Sequence, residues 1–236
     1  MDFLKTIADL FLHLDEHLNT IIQTFGLWSY VILFLIIFLE TGIVIMPFLP
    51  GDSLLFAAGT LAAFGSLNVW ILYISLLVAA IIGDTVNYWI GHALGPRVFA
   101  KENSMFFKKE YLVKTQEFYE KHGGKTIILA RFMPIVRTFA PFVAGVGKMD
   151  YKYFLTYNIV GGFIWVTSFV WLGYFFGNIP VIQHNFHYAV VGIVVLSIVP
   201  AIYEYIKHKQ GPKLKKGEDT DYKEITETFE KQHISE

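Results

Sequence analysis

Apolar residues recur at helical spacing from Phe3 to Phe25 (Phe3, Ile7, Leu10, Leu14, Leu18, Ile21, Phe25), with Asp2, Asp9, Asp15, Glu16 and Asn19 on the opposite side. This pattern predicts an amphipathic helix over residues 1–25, lying in a membrane interface. From Leu27 to Met46 the polar face is gone. A run of about twenty apolar residues is long enough to cross a roughly 30 Å hydrocarbon core, yet this one carries Glu40. Pro47, Pro50 and Gly51 follow too soon for another full span, and the apolar piece Ser53 to Phe64 is too short to cross alone. A re-entrant hairpin over about 47–65 is the expectation. Its irregular backbone must be buried in protein or line a wet cavity, because lipid cannot satisfy its amides. Val69 to about Ala93 reads as a span interrupted by Asp84 and Asn87, and it ends in a small-residue spacing, Gly91 to Gly95, suited to close packing.

Residues 97–125 hold Arg97, Lys101, Lys108, Lys109, Lys114, Lys121 and Lys125, with an amphipathic helix predicted around Lys108 to Lys121 and closed by Gly123-Gly124. This basic loop is expected in the cytoplasm. Thr126 to Gly147 is apolar but broken by Pro134, Pro141, Gly145 and Gly147, and it contains Arg131 and Arg137, which no lipid-facing helix would carry. It is expected to be a second hairpin, over about 124–147. Phe154 to Phe176 and roughly Phe186 to Tyr205 read as further spans, and the turn between them, Gly177 to His187, has no lysine or arginine and should face outward. Lys207, Lys209, Lys213, Lys215 and Lys216 then mark a cytoplasmic tail, 207–236, which turns acidic and carries a weak helical pattern at Tyr222, Ile225 and Phe229. The tail is expected to be mobile and dispensable for chemistry.

The two halves rhyme: Phe56-Ala57-Ala58-Gly59 against Phe142-Val143-Ala144-Gly145, and Trp89-Ile90-Gly91 against Trp171-Leu172-Gly173. With the charge bias placing one hairpin on each side, the expected fold is an all-α polytopic membrane protein built as an inverted repeat. Two opposed re-entrant hairpins and about four spanning helices, joined by interfacial helices, make up a transport domain over 26–206. Composition agrees. Hydrophobic residues make up 54% of the 236 and aromatics 17%, too apolar for an ordinary soluble domain. The Met-Asp start lacks the pattern of a cleaved signal peptide. With no cysteine, thiol catalysis, thiolate metal sites and disulfides are excluded.

Glu40, Asp52, Asp84, Arg131 and Arg137 therefore stand at membrane depth, where each costs about 2.5–3.5 kcal/mol if it faces lipid. They are expected to share a cavity. Arg131 and Arg137 flank Pro134, and their planar guanidinium forks suit an anion, phosphate above all. The same arginines can instead lock helices together through Asp52, Asp84 or Glu40. Asp52 has a structural alternative as a helix cap. Glu40, within a span and with no opposite charge nearby in sequence, reads as a proton acceptor, and so does Asp84. Three carboxylates against two arginines leave one unpaired, with Glu40 favoured as the carrier. Asn87 is expected to hydrogen-bond between helices and to Asp84, and His92 to sit at the interface. Trp28, Trp70, Tyr151 and Tyr153 are expected as interfacial anchors.

Phe38-Leu39-Glu40-Thr41-Gly42, Pro47-Phe48-Leu49-Pro50-Gly51-Asp52-Ser53, Gly83-Asp84-Thr85-Val86-Asn87-Tyr88 and the run Arg131 to Phe142 resemble the motifs of the DedA family, over a match reaching to about Lys209. The resemblance implies a multi-pass protein of the bacterial plasma membrane with both termini cytoplasmic, related to the VTT-domain lipid scramblases. It implies return of a phosphate-bearing polyprenyl lipid, undecaprenyl phosphate, across the membrane, with dependence on the proton motive force. The positions matching functional ones are Glu40, Asp52, Arg131 and Arg137. No cofactor, metal or nucleic acid is expected, the partners being membrane lipids and protons, with homo-oligomerisation left open. An intramembrane phosphatase is disfavoured, because apart from His92 the spans and hairpins offer no histidine, cysteine or metal-ligand cluster. A proton-coupled small-ion or drug antiporter and an uncoupled lipid scramblase remain as alternatives.

Overall fold

The structure is a computed structural model, described for residues 26–43, 51–94, 109–180, 227, 228, 230 and 231. The predicted interfacial helix over 1–25 and the span Phe186 to Tyr205 lie outside the described residues. Among the described residues every regular element is a helix: α1 (Leu27–Gly42), α2 (Gly51–Ala63), α3 (Val69–Leu94), α4 (Lys109–His122), α5 (Thr126–Ala130), α6 (Pro134–Val146) and α7 (Tyr151–Gly177). Both α3 and α7 are long and apolar enough to cross a bilayer, matching two of the predicted spans. On α3 the exposed residues Ile71, Ile74, Val78, Ile82, Val86 and Ile90 recur every three or four positions. Such an apolar stripe needs a nonpolar solvent.

The helix ends follow local chemistry. At the start of α3, Asn68 Oδ1 accepts the Trp70 and Ile71 amides at 3.0 and 3.2 Å, satisfying donors that a first turn leaves over. Gly123, at φ +58°, terminates α4 in the left-handed conformation that glycine tolerates best. Pro134 explains the break between α5 and α6: it has no amide hydrogen, and it pushes Met133 into extended backbone at φ −122°, ψ 109°. The break falls at Arg131–Met133. Pro141, expected to interrupt the segment, is instead carried inside α6.

The chain divides into two compact units. The first comprises Met1–Leu35, Pro50–Leu76 and Val166–Ile206. Within it α2 lies against the end of α7 so closely that a Cβ on Gly59 would overlap the Val170 carbonyl, and one on Gly173 the Phe56 carbonyl. Thr60 Oγ1 donates to Gly173 O at 3.1 Å, and Tyr73 and Thr167 share a 2.8 Å hydroxyl bond. Asp52 is half-buried in the first turn of α2, a favourable place for a carboxylate beside the helix N-terminus.

The second unit comprises Ile36–Leu49, Leu77–Trp165 and Lys207–Glu236. Its core gathers Tyr88, Tyr119, Ile127, Phe139, Phe142, Val143 and Phe154. Here α6 packs against α3 by the same device, Gly145 on the Tyr88 carbonyl and Gly91 on the Phe142 carbonyl. The helix α4 is held to α6 by Tyr119, whose hydroxyl donates to Ala140 O at 2.9 Å. Thr228 is buried and hydrogen-bonds Gln116 of α4, so the tail is docked at this residue rather than loose.

Candidate functional site

The charged residues of the second unit are assembled by two close crossings and one helix break. Where α1 ends, a Cβ on Gly83 would overlap Thr41 Oγ1, so only glycine lets α3 approach there. Glu40 and Asp84, the neighbours of these two residues, are carried inward with them. Contrary to the expectation of a mid-span position, Glu40 stands in the last turn of α1, since the helix closes at Gly42. Asn87 ties the crossing to α6: its Nδ2 donates to Thr41 O at 3.1 Å and to Thr138 O at 2.8 Å. Its interhelical role is as expected, but its amide hydrogens go to backbone carbonyls and not to Asp84.

Arg131 occupies the break between α5 and α6 and is 2% exposed. Its Nη2 lies 2.6 Å from Asp84 Oδ2 and donates to Asn158 Oδ1 at 2.6 Å. Asn158 is itself fixed, its Nδ2 donating to Ile81 O at 3.0 Å and Thr85 Oγ1 at 3.3 Å. The remaining nitrogens of Arg131, Nε and Nη1, are buried with no hydrogen-bond partner among the described residues. Arg137, in the first turn of α6, pairs with Glu40 through Nη2 and Oε1 at 3.0 Å. Glu40 is therefore not the carboxylate left over; the pairing links residues too distant in sequence for the charge pattern to reveal. Both guanidiniums also face Trp165, with Arg137 Cζ 4.1 Å and Arg131 Cζ 5.7 Å from the ring centroid.

The cluster is thus two acids and two bases, formally neutral, in a place where either charge alone would be costly. Asp52 belongs to the other compact unit. Asn158 and Trp165 were not singled out in the sequence, although an asparagine and a tryptophan in the interior of a span, away from its ends, are the signals that mark them. Between them, Gly161 and Gly162 leave room for the Arg131 side chain; an added Cβ at Gly161 would stand 3.2 Å from Arg131 Cδ and Nε. Gly161→Ala is expected to cost about 1 kcal/mol by pressing on Arg131, measured as a lower thermal midpoint in detergent.

His92 lies outside this cluster, stacked 6.1 Å from the Tyr88 ring and edge-on to Trp89. Trp28 and Trp70 are largely exposed, as anchors would be, and Trp70 also packs on Trp171. Among the described residues no group of histidines and carboxylates is placed to hold a metal.

An apolar helical protein with buried, mutually paired charges is of the integral membrane class, and comparison with known proteins narrows this. Residues 49–175 match the VTT domain family. Protein DedA of Escherichia coli K12 is 54% identical over 212 residues, covering 89% of this chain and 97% of the relative. The membrane protein Rv0364 of Mycobacterium tuberculosis H37Rv is 44% identical over 170 residues, 71% of this chain and 74% of the relative. The inner membrane protein YqjA of Escherichia coli K12 is 35% identical over 152 residues, 64% of this chain and 69% of the relative. The chain belongs to the DedA family of VTT-domain membrane proteins. No solved structure matches it.

Proposed function

We propose that the chain is a transporter that carries a phosphate-headgroup lipid, undecaprenyl phosphate, between the leaflets of the bacterial plasma membrane, coupled to the uptake of protons. The observation that carries this reading is the state of Arg131, with Nε and Nη1 buried and without hydrogen-bond partners among the described residues. A guanidinium binds a phosphate bidentately along an edge, and both usable edges include Nη2. Here Nη2 is already engaged by Asp84 and Asn158. An arriving phosphate must displace one of them.

Asn158 is anchored to α3 by its own amide, so Asp84 is the partner that yields. A carboxylate parted from its guanidinium in a dry site is stabilised by a proton. Anion entry and proton uptake then occur together, and the cluster stays near neutrality. Glu40 stands in the same relation to Arg137 and is the second proton site.

The repeated glycine-on-carbonyl contacts support an internal repeat, since the rhyming segments Phe56 to Gly59 and Phe142 to Gly145 meet Val170 to Gly173 and Tyr88 to Gly91 in matching register. In this reading α2 and the α5–α6 pair belong to the two re-entrant hairpins, and both termini are cytoplasmic.

The test is leaflet accessibility of undecaprenyl phosphate in proteoliposomes, with and without a pH gradient. Arg131→Lys and Arg137→Lys are expected to insert normally and to lose at least tenfold in transport, because an ammonium offers no fork. Normal transport in both would mean that the arginines only lock helices together. Asp84→Asn is expected to move lipid at a rate insensitive to the gradient; full gradient-driven transport would remove Asp84 from the coupling and leave the uncoupled scramblase.

A further inference from the structure

Trp165 is fully buried in the interior of α7, away from the helix ends where tryptophans anchor to the interface. Two guanidiniums share its ring, Arg137 at 4.1 Å and Arg131 at 5.7 Å from Cζ to centroid. Like charges brought so near one another repel, and their carboxylate partners relieve this only while in place. An aromatic face attracts a cation without neutralising it and without occupying its N–H edges.

We propose that Trp165 is a positioning residue that keeps Arg131 and Arg137 together while their carboxylates are displaced, so that a phosphate meets a preformed pair of forks. The inference rests on the anion-site reading above. Asp84 and Glu40 are exchangeable partners in it, whereas Asn158 stays with Arg131 and the indole stays with both arginines. The arrangement also sets a preference: held over a π face, the guanidiniums present their edges to one compact anion, favouring a phosphate headgroup over a neutral alcohol headgroup on the same polyprenyl tail.

The test uses the full chain in phosphatidylcholine vesicles, with undecaprenyl phosphate as probe and undecaprenol as the phosphate-free control. Trp165→Phe keeps an aromatic face and is expected to stay within about threefold of the parent in half-saturating lipid concentration. Trp165→Leu, apolar but without a quadrupole, is expected to raise it by about tenfold while changing the maximal rate less. A structural role alone would affect Phe and Leu variants alike and would lower the amount of active protein rather than the apparent affinity.

A chain with Trp28, Trp70, Trp89 and Trp171 replaced by phenylalanine, leaving Trp165, supplies a second readout that does not require the leucine variant to fold. Its emission should change with undecaprenyl phosphate and not with undecaprenol. Unchanged half-saturation in Trp165→Leu, or emission indifferent to the phosphate, overturns the inference. If Arg137→Lys still abolishes transport in that case, the anion site stands without Trp165; if both lysine variants transport normally, the anion-site reading itself falls.

Discussion

Asp84→Ala is expected to lower stability by about 3–5 kcal/mol, the cost of leaving a buried guanidinium without its counter-charge. The geometry justifies the upper part of that range: the pair is 2.6 Å apart with side chains 2% and 5% exposed, so solvent cannot substitute for the lost carboxylate. Arg131→Ala should cost a similar amount for the reciprocal reason. Replacing both at once, Asp84→Leu with Arg131→Met, removes the two desolvation penalties together and should restore most of the stability while leaving transport absent. Thermal denaturation in detergent beside the lipid assay measures both quantities. A stable single variant would show that water reaches the pair, and a double variant no more stable than either single one would show that the residues do not act as a pair.

Gly145→Ala is expected to be as severe, at about 3 kcal/mol, for a steric reason. The new methyl would overlap the Tyr88 carbonyl and crowd the His92 amide, and backbone in a packed helix cannot step aside as a side chain can. Gly91→Ala meets the Phe142 carbonyl in the same way. Gly42→Ala is the control, because its nearest neighbour is Gly83 O at 3.4 Å, an ordinary contact. There the added methyl should be tolerated, with helix propensity partly offsetting any crowding. Equal midpoints for Gly145→Ala and Gly42→Ala would refute the close crossing of α3 and α6.

These two results test parts of the fold that were legible in the sequence to different degrees. The breaks were legible because proline and glycine act locally: Pro134 cannot donate a backbone hydrogen bond wherever the rest of the chain goes, and Gly123 ends α4 by its own backbone freedom. The spans of α3 and α7 were legible from length and polarity alone. The glycine rhyme between the halves was visible too, although its meaning as contact with a carbonyl needed the neighbouring helix.

The pairing of charges was not legible, because it is decided by which helices cross. Glu40 had no opposite charge nearby in sequence, yet Gly83 lets α1 approach α3, and Arg137 arrives on α6. Trp165 and Asn158 were missed for a related reason: α7 carries no charged residue beyond Lys152, so it read as a plain span, and its share of the site consists of neutral groups that act only on charges supplied by other helices.

Pro141 has a mechanical consequence. It lies four residues after Arg137 and brings no amide hydrogen, so the Arg137 carbonyl cannot receive the bond that an unbroken α6 would give it. Pro134, at the start of the same helix, removes no further bond, because a first-turn amide has no acceptor within the helix. A helix yields where its ladder is interrupted. The turn holding Arg137 is consequently fixed less by its own ladder than by side chains of two other helices, Asn87 of α3 on Thr138 O and Tyr119 of α4 on Ala140 O.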